Sequence, residues 1–263
     1  MILIRGVFYD RTNYPSKYFK ITRTEDDDFA GLILKGAAER GMNVYLGMHI
    51  ANLTWNDGDV LTEIKNNKIF VDEVYSRYKD IPSFKDWYIP HEVGNDIFNI
   101  CDVINGLTDI CKSKDPSKLV HISPFFQVGP NVPHEYSPQE HADEWDRIYT
   151  KCGKNLDSAS YQDGVIDFDL YDEYFRLTRE VCDKHNIELW CNTELIDPYT
   201  RGRQFDPIPF DVLKCKLNHA GLYTSKTITF EFSHFLSPQS IYQSARNLNR
   251  LYKDYYGKKQ SRC

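Results

Sequence analysis

The chain has 263 residues, of which 41% are hydrophobic and 27% charged, so it can bury a sizeable core and disorder is not expected. Its net charge of -6 and its scattered lysines and arginines offer no basic field for phosphates, which argues against nucleic acid as a partner. The seven cysteines are widely spaced and form no CxxC pair, which argues against a zinc site or a disulfide framework.

Seven segments have the apolar, β-branched and aromatic character of strands, and a helical pattern follows each of them. The predicted strands are 2–9, 43–49, 87–92, 119–126, 158–164, 188–194 and 227–233. Their ends recur at intervals of roughly 30 to 40 residues, which leaves room for one strand, one helix and two loops.

The helices predicted between these strands are 26–40, 59–78, 96–112, 138–151, 168–185, 209–219 and 238–255. Thr24 is the predicted N-cap of the first helix, and Gly41 is predicted to end it. The alternation predicts an α/β fold, a (β/α)8 TIM barrel that forms a single domain over residues 1–263. A barrel has eight strands, so we expect its first strand–helix unit to lie upstream of Met1. An open doubly wound sheet is the alternative, but the sequence lacks the Gly-rich phosphate loop of that fold.

Two of the predicted strands end in a glutamate, Glu92 and Glu194. Catalytic groups of α/β barrels lie at the C-terminal ends of strands, so both side chains should reach the same mouth. Glycoside hydrolysis needs such a pair, because one acid protonates the leaving oxygen while the other attacks the anomeric carbon or activates water. Capping of a helix or pairing with arginine is the alternative role for each glutamate.

Other side chains at or near the predicted strand ends are candidates for substrate binding. They are Asp10, Trp55, Tyr88, His91, Gln162, Asp163, Asn192, Glu231 and His234. Gly164 permits a sharp turn that would expose Gln162 and Asp163, although an ordinary Asp-Gly turn explains this sequence equally well.

Aromatic residues can stack on the apolar C–H faces of sugar rings. Trp55 follows its strand and is the best candidate for stacking, whereas Trp87 and Trp190 lie inside strands and are expected to pack in the barrel. In the last strand, alternation places Glu231 and Ser233 on one face.

Several segments resemble the family of glycosidase-like TIM barrels known as domain of unknown function 4434. The similar stretches are 14–16, 41–48 with Trp55, 87–92, 123–126, 162–164, 190–194 and 232–234. The resemblance covers nearly the whole chain and implies a TIM barrel and a glycoside hydrolase. It also implies one more strand before Met1, which makes Glu92 and Glu194 the ends of strands four and seven. These positions hold the acid/base and the nucleophile in a large clan of retaining glycosidases, although that clan usually has Asn where this chain has His91.

We therefore expect a glycoside hydrolase in which Glu92 is the acid/base and Glu194 the nucleophile. Retention is favoured, and it requires carboxyl groups about 5–5.5 Å apart, whereas inversion requires roughly 6.5–9.5 Å. The expected substrate is an oligo- or polysaccharide, the expected state is a monomer, and this mechanism needs no cofactor or metal.

Two alternatives stay open. A metal-dependent sugar isomerase or epimerase would take its ligands from Glu92, Asp163, Glu231 and His234. A carbohydrate-binding barrel without catalytic activity would follow if the absent strand carried essential residues. The sequence contains no apolar run of about 18 residues, the length that a membrane span needs. Residues 1–20 lack a signal-peptide pattern, although an upstream segment could carry one.

Overall fold

The computed structural model describes residues 2–3, 6–21, 28–51, 58–129, 132–196 and 206–260. Each of the seven predicted strand segments contains or overlaps a strand of the parallel sheet, but their bounds differ: the strand predicted at 87–92 is Phe84–Ile89 and ends before Glu92, and the one predicted at 119–126 is Val120–Ile122. The strands are β1 (Ile2–Leu3), β2 (Val7–Phe8), β3 (Arg11–Thr12), β4 (Lys20–Ile21), β5 (Val44–Gly47), β6 (His49–Ile50), β7 (Phe84–Ile89), β8 (Val120–Ile122), β9 (Ser158–Gln162), β10 (Glu188–Glu194) and β11 (Lys226–Phe230). The helices are α1 (Phe29–Ala38), α2 (Val60–Tyr78), α3 (Ile100–Lys114), α4 (Pro138–Cys152), α5 (Phe168–Lys184), α6 (Phe210–Tyr223), α7 (Phe232–Phe235) and α8 (Gln243–Gln260).

The chain is organised in two compact units. The first unit comprises Met1–Pro124, Asp143–Ala159 and Asp183–Glu188. The second unit comprises Phe125–Ala142, Ser160–Cys182 and Leu189–Cys263. The single domain over residues 1–263 stays a prediction.

In the first unit, a parallel sheet has the strand order β1-β5-β7-β8-β9. A second, smaller sheet has the order β4-β3-β2-β6. Each of the predicted strands 2–9 and 43–49 is therefore divided between the two sheets, because β1 pairs with β5 and β2 pairs with β6. The prediction of two continuous strands was wrong.

Close packing at Gly6 explains this division. The backbone N–H of Gly6 donates to the carbonyl of Gly47 at 2.7 Å. A Cβ atom at position 6 would lie 2.3 Å from a ring carbon of Phe70, which is closer than any real side chain permits. The two backbones can approach here because residue 6 has no side chain, and the chain then passes from one sheet to the other.

In the second unit, the parallel strand order is β9-β10-β11, and Glu194 lies opposite Phe230. The last strand ends at Phe230 and α7 begins at Phe232, so the predicted strand to residue 233 was wrong at its end. The side chain of Glu231 accepts a hydrogen bond from the amide of His234 and caps this helical turn. The predicted alternation of Glu231 and Ser233 therefore does not apply.

Three helices begin several residues later than predicted; one of them, predicted at 238–255, is Gln243–Gln260. Asp28 is the N-cap of α1, since its carboxylate accepts a hydrogen bond from the amide of Gly31 at 2.9 Å, and the predicted N-cap, Thr24, lies outside the described residues. Helix α3 begins at Ile100 rather than at residue 96, because Phe98 and Asn99 have positive φ angles of 48° and 56°.

The two tryptophans inside strands are buried, as predicted: Trp87 is 0% and Trp190 2% exposed. The Trp87 ring meets the rings of Phe84 and Phe70 edge-on, with centroids 4.8 and 6.2 Å apart. None of the described helices combines the length and apolar character that a membrane span needs.

Replacement of Trp87 by Ala should lower the free energy of unfolding by about 3 to 5 kcal/mol, because it leaves a cavity between the aromatic rings. Urea unfolding followed by circular dichroism measures the change. Leu61→Ala is the matched control; Leu61 is 81% exposed, so its loss should change stability by less than about 0.5 kcal/mol. Equal effects of the two substitutions would contradict this description of the core.

Candidate functional site

Glu92 lies just beyond the end of β7 in the first unit and is exposed. The hydroxyl of Tyr88 donates a hydrogen bond to its carboxylate at 3.2 Å. Tyr88 itself is 2% exposed, so a buried side chain holds one oxygen of an accessible acid. Such a carboxylate can exchange a proton with a ligand while its orientation is restrained.

His91, the residue before Glu92, belongs to a buried polar cluster. Its Nε2 atom lies 3.2 Å from Oε1 of Glu63, a residue of α2. The same oxygen lies 3.2 Å from Nδ1 of His49, and it accepts a hydrogen bond from Asn67 at 3.3 Å. Glu63, Asn67 and His49 are fully buried and His91 is 2% exposed, so the cluster fixes the backbone that leads into Glu92.

Burial by itself would raise the pKa of Glu63, but the hydrogen bonds from His49 and His91 and their charges outweigh it and lower the pKa from 4.5 to about 2. Glu63 is therefore an ionised carboxylate inside the first unit. His91 is engaged with this carboxylate, so its predicted contact with substrate would compete with a contact that the protein already makes.

Glu194 is the last residue of β10 in the second unit and is half-buried. Its carboxylate lies directly against the backbone of Gly164. A Cβ atom at position 164 would be 2.1 Å from Oε2 of Glu194, so a larger residue here would force the carboxylate to move. The amide of Glu194 donates to Oδ1 of Asp163 at 2.9 Å. Two adjacent residues thus hold the backbone and the carboxylate of Glu194.

Asp163 is 0% exposed, and both of its carboxylate oxygens are engaged within the second unit. Oδ1 accepts a hydrogen bond from Nζ of Lys216 at 2.9 Å, and Oδ2 accepts one from the hydroxyl of Tyr171 at 2.8 Å. Burial and the neighbouring charge of Asp163 raise the pKa of Tyr171, which keeps this hydroxyl protonated as a donor. The structure therefore gives Asp163 a buried position in which it holds the amide of Glu194; its contact with a substrate stays a prediction.

The other predicted residues of the second unit lie around the same strand ends. Asn192 is 8% exposed, and its carbonyl accepts a hydrogen bond from the amide of Asp163 at 3.2 Å. Gln162 is half-buried and forms a bridge with Phe125. Glu231 follows the residue that pairs with Glu194, and its carboxylate accepts hydrogen bonds from the amide and the imidazole of His234.

Two candidates remain, Asp10 and Trp55. Asp10 is exposed and forms an ion pair with Lys20 at 2.6 Å. The hydrogen bond from Lys20 lowers the pKa of Asp10, as in a solvated turn. Trp55, the stacking candidate, lies outside the described residues. In the described ranges, no three or more His, Cys, Asp or Glu side chains are grouped so that they could hold a metal ion.

The sequence analysis missed Glu63 and Lys216, although the helix patterns contain a signal for both. On α2, Glu63 and Asn67 lie on the same buried face as Phe70 and Val74. On α6, Lys216 lies between Leu213 and Ala220 on the buried face. A charged residue in an apolar stripe indicates a buried partner, because a lone charge in the interior is strongly unfavourable.

Comparison with known proteins identified one family and several structures. The model of the family described as Domain of unknown function (DUF4434) matches residues 1–242. A structure described as a putative alpha-L-fucosidase from Bacteroides thetaiotaomicron VPI-5482 is 32% identical; the match covers 97% of this chain and 81% of that one, with a TM-score of 0.90. The comparison with curated proteins found no match.

More distant structures have the same fold. A β-D-glucuronidase from Dictyoglomus thermophilum is 13% identical, with 92% of this chain and 44% of that one covered and a TM-score of 0.53. A psychrophilic glycoside hydrolase family 10 endo-β-1,4-xylanase is also 13% identical, with 90% and 84% covered and a TM-score of 0.55. These neighbours are TIM-barrel glycoside hydrolases, so the predicted fold class is confirmed.

The low pKa of Glu63 makes the stability of the protein sensitive to acid. The folded-state pKa, about 2, lies below the ordinary value of 4.5, so the contribution of Glu63 is fully present above pH 4.5 and is lost as the pH falls towards 2. Between pH 5 and 2.5 the native protein should lose about 2 to 3 kcal/mol more unfolding free energy than Glu63→Gln. Urea unfolding at each pH tests this. An equal decrease in the free energy of unfolding of the two proteins between pH 5 and 2.5 would contradict it.

Removal of the negative charge of Asp163 should leave the positive charge of Lys216 uncompensated in the interior. Asp163→Asn is expected to lower the free energy of unfolding by about 3 to 5 kcal/mol. Lys216→Met in the same chain should restore part of the loss, because no uncompensated charge remains. The double-mutant cycle is measured by urea unfolding; strictly additive effects of the two substitutions would show that the pair is not coupled.

Proposed function

The chain belongs to the DUF4434 family, and on that basis we propose that it is a glycoside hydrolase in which Glu194 is the nucleophile and Glu92 the acid/base. The reaction class is supported by the relative described as a putative alpha-L-fucosidase, which is 32% identical over 97% of this chain. The fold is that of TIM-barrel glycoside hydrolases, which is compatible with this chemistry.

The local environment of Glu194 is the observation that carries the assignment. A nucleophile must be ionised, accessible and held in one orientation. Glu194 is half-buried at a strand end, its amide is bound by Asp163, and its carboxylate rests on Gly164.

In the proposed reaction, a carboxylate oxygen of Glu194 attacks the anomeric carbon and the glycosidic C–O bond breaks. The proton of Glu92 passes to the leaving oxygen, so a glycosyl ester of Glu194 and an alcohol result. Glu92 then takes a proton from water as the water cleaves the ester, which restores both groups and retains the configuration. Tyr88 restrains the Glu92 carboxylate throughout.

An α-L-fucoside is the first substrate to test, because it is the one to which the description of the 32% identical relative refers. Purified protein is incubated with aryl α-L-fucosides and with a panel of other aryl glycosides and polysaccharides. We expect hydrolysis with retention of configuration, read from the anomer that proton NMR detects first.

Glu194→Gln should reduce kcat by at least about 10³-fold for every substrate, since the attacking oxygen is lost. Glu92→Gln should lower kcat/KM strongly for substrates with a poor leaving group, but much less for a dinitrophenyl glycoside, whose leaving group needs no proton. For that substrate kcat should still fall, because Glu92 also activates the water that cleaves the glycosyl ester. Glu39→Gln, an exposed site in the first unit, is the control and should leave kcat unchanged.

Two outcomes would overturn the proposal. Hydrolysis that persists in Glu194→Gln would remove the nucleophile assignment. Glycan binding by the parent protein and by both variants, without hydrolysis of any substrate by the parent, would instead identify a carbohydrate-binding protein.

A further inference from the structure

The second unit contains a cavity of about 940 Å³. This volume is at the upper end of the range for small-molecule sites, about 300 to 1,000 Å³. Its wall combines aliphatic and aromatic side chains such as Val212, Leu170 and Phe168 with the hydroxyl-bearing Tyr174. Phe168 is 42% exposed and Leu170 is 40% exposed, so apolar surface is accessible to the face of a sugar ring.

The cavity adjoins the proposed nucleophile. Gly164 is part of its wall, and the carboxylate of Glu194 lies against the same glycine. A ligand that reacts at Glu194 would therefore have space for a further residue on this side.

The charges on the wall are predominantly negative. Glu135, Glu140 and Asp167 belong to the wall, and all three are exposed. Lys216 is the cation in the described lining, but its Nζ atom is bound to Asp163 and its charge is neutralised there. Among the described residues of the wall, an anionic ligand would meet three carboxylates, and the one cation there is already paired with Asp163.

The pKa of Tyr174 is affected by these negative charges. Burial raises the pKa of Tyr174 to about 12, and the charges of Glu135, Glu140 and Glu173 contribute to the increase. The carboxylates thus disfavour the ionised, negatively charged form of Tyr174, a residue of the cavity wall.

We propose that this cavity binds an uncharged sugar residue next to the one that is cleaved, and that it discriminates against uronic acids and sulfated sugars. The inference rests on the proposed function and adds to it the substrate class. Apolar wall residues would contact the C–H face of the ring, and the carboxylates would accept hydrogen bonds from its hydroxyl groups.

Equilibrium binding tests the charge preference apart from catalysis. Calorimetry on Glu92→Gln, which should not turn over, compares 2′-fucosyllactose and cellotriose with the same sugars in which one primary alcohol is oxidised to a carboxylate. The neutral forms should bind roughly 3- to 10-fold more tightly at low ionic strength, and 0.5 M salt should reduce the difference.

Variants locate the effect in the cavity. The double substitution of Glu135 and Glu140 by Gln should bring the two affinities within about 2-fold, since it removes two of the charges but keeps the hydrogen-bond acceptors. The control Glu39→Gln should leave the difference between the two affinities unchanged. Leu170→Trp, which fills the cavity from an exposed position, should weaken binding of the neutral sugar at least about 10-fold.

The outcomes separate this inference from the proposed function. Equal or tighter binding of the oxidised sugars, no binding of either neutral sugar, or no effect of Leu170→Trp would overturn the cavity assignment even if the protein hydrolyses glycosides. Charge-selective binding that Leu170→Trp removes would support it even if no substrate is hydrolysed.

Discussion

The ion pair between Asp163 and Lys216 is the contact on which the second half of the candidate site depends. A carboxylate that is excluded from water needs a compensating charge, and Lys216 supplies it from α6. Because the same oxygen of Asp163 also accepts the amide hydrogen of Glu194, the charge balance of the interior and the position of the strand end are linked. The side chain of Glu194, the proposed nucleophile, can remain accessible while its backbone is held by a contact that solvent does not reach.

The first unit also contains a buried carboxylate near a candidate glutamate, with a different set of partners. Glu63 is buried on α2 and is balanced by two histidines, one of which directly precedes Glu92. In each unit a glutamate is joined through the backbone to a buried carboxylate: Glu92 directly follows His91, which contacts Glu63, and the amide of Glu194 donates to Asp163. Support of this kind restricts the motion of a functional group without occupying it.

Local patterns were sufficient for the repeating part of the structure. Alternation of apolar strands and amphipathic helices predicted seven strands and made Glu92 and Glu194 the last residues of two of them. Glu194 does end β10, whereas β7 ends at Ile89, before Glu92. What local patterns could not show depends on contacts between distant residues. The break at Gly6 is imposed by Phe70, and the start of α3 is imposed by the positive φ angles before it. Lys216 was visible as a charge in an apolar stripe, but only the fold shows that Asp163 is its partner.

Gly164 has a consequence for how the substrate range of this protein can change. A larger residue at this position would displace the carboxylate of the proposed nucleophile, so this end of the candidate site tolerates little variation. Leu170 in the wall of the adjoining cavity is 40% exposed and can be exchanged more freely, whereas Val212 packs against the core cluster that includes Leu195. Redesign for another glycan would therefore begin at Leu170 and treat the glycine and the carboxylate of Glu194 as fixed.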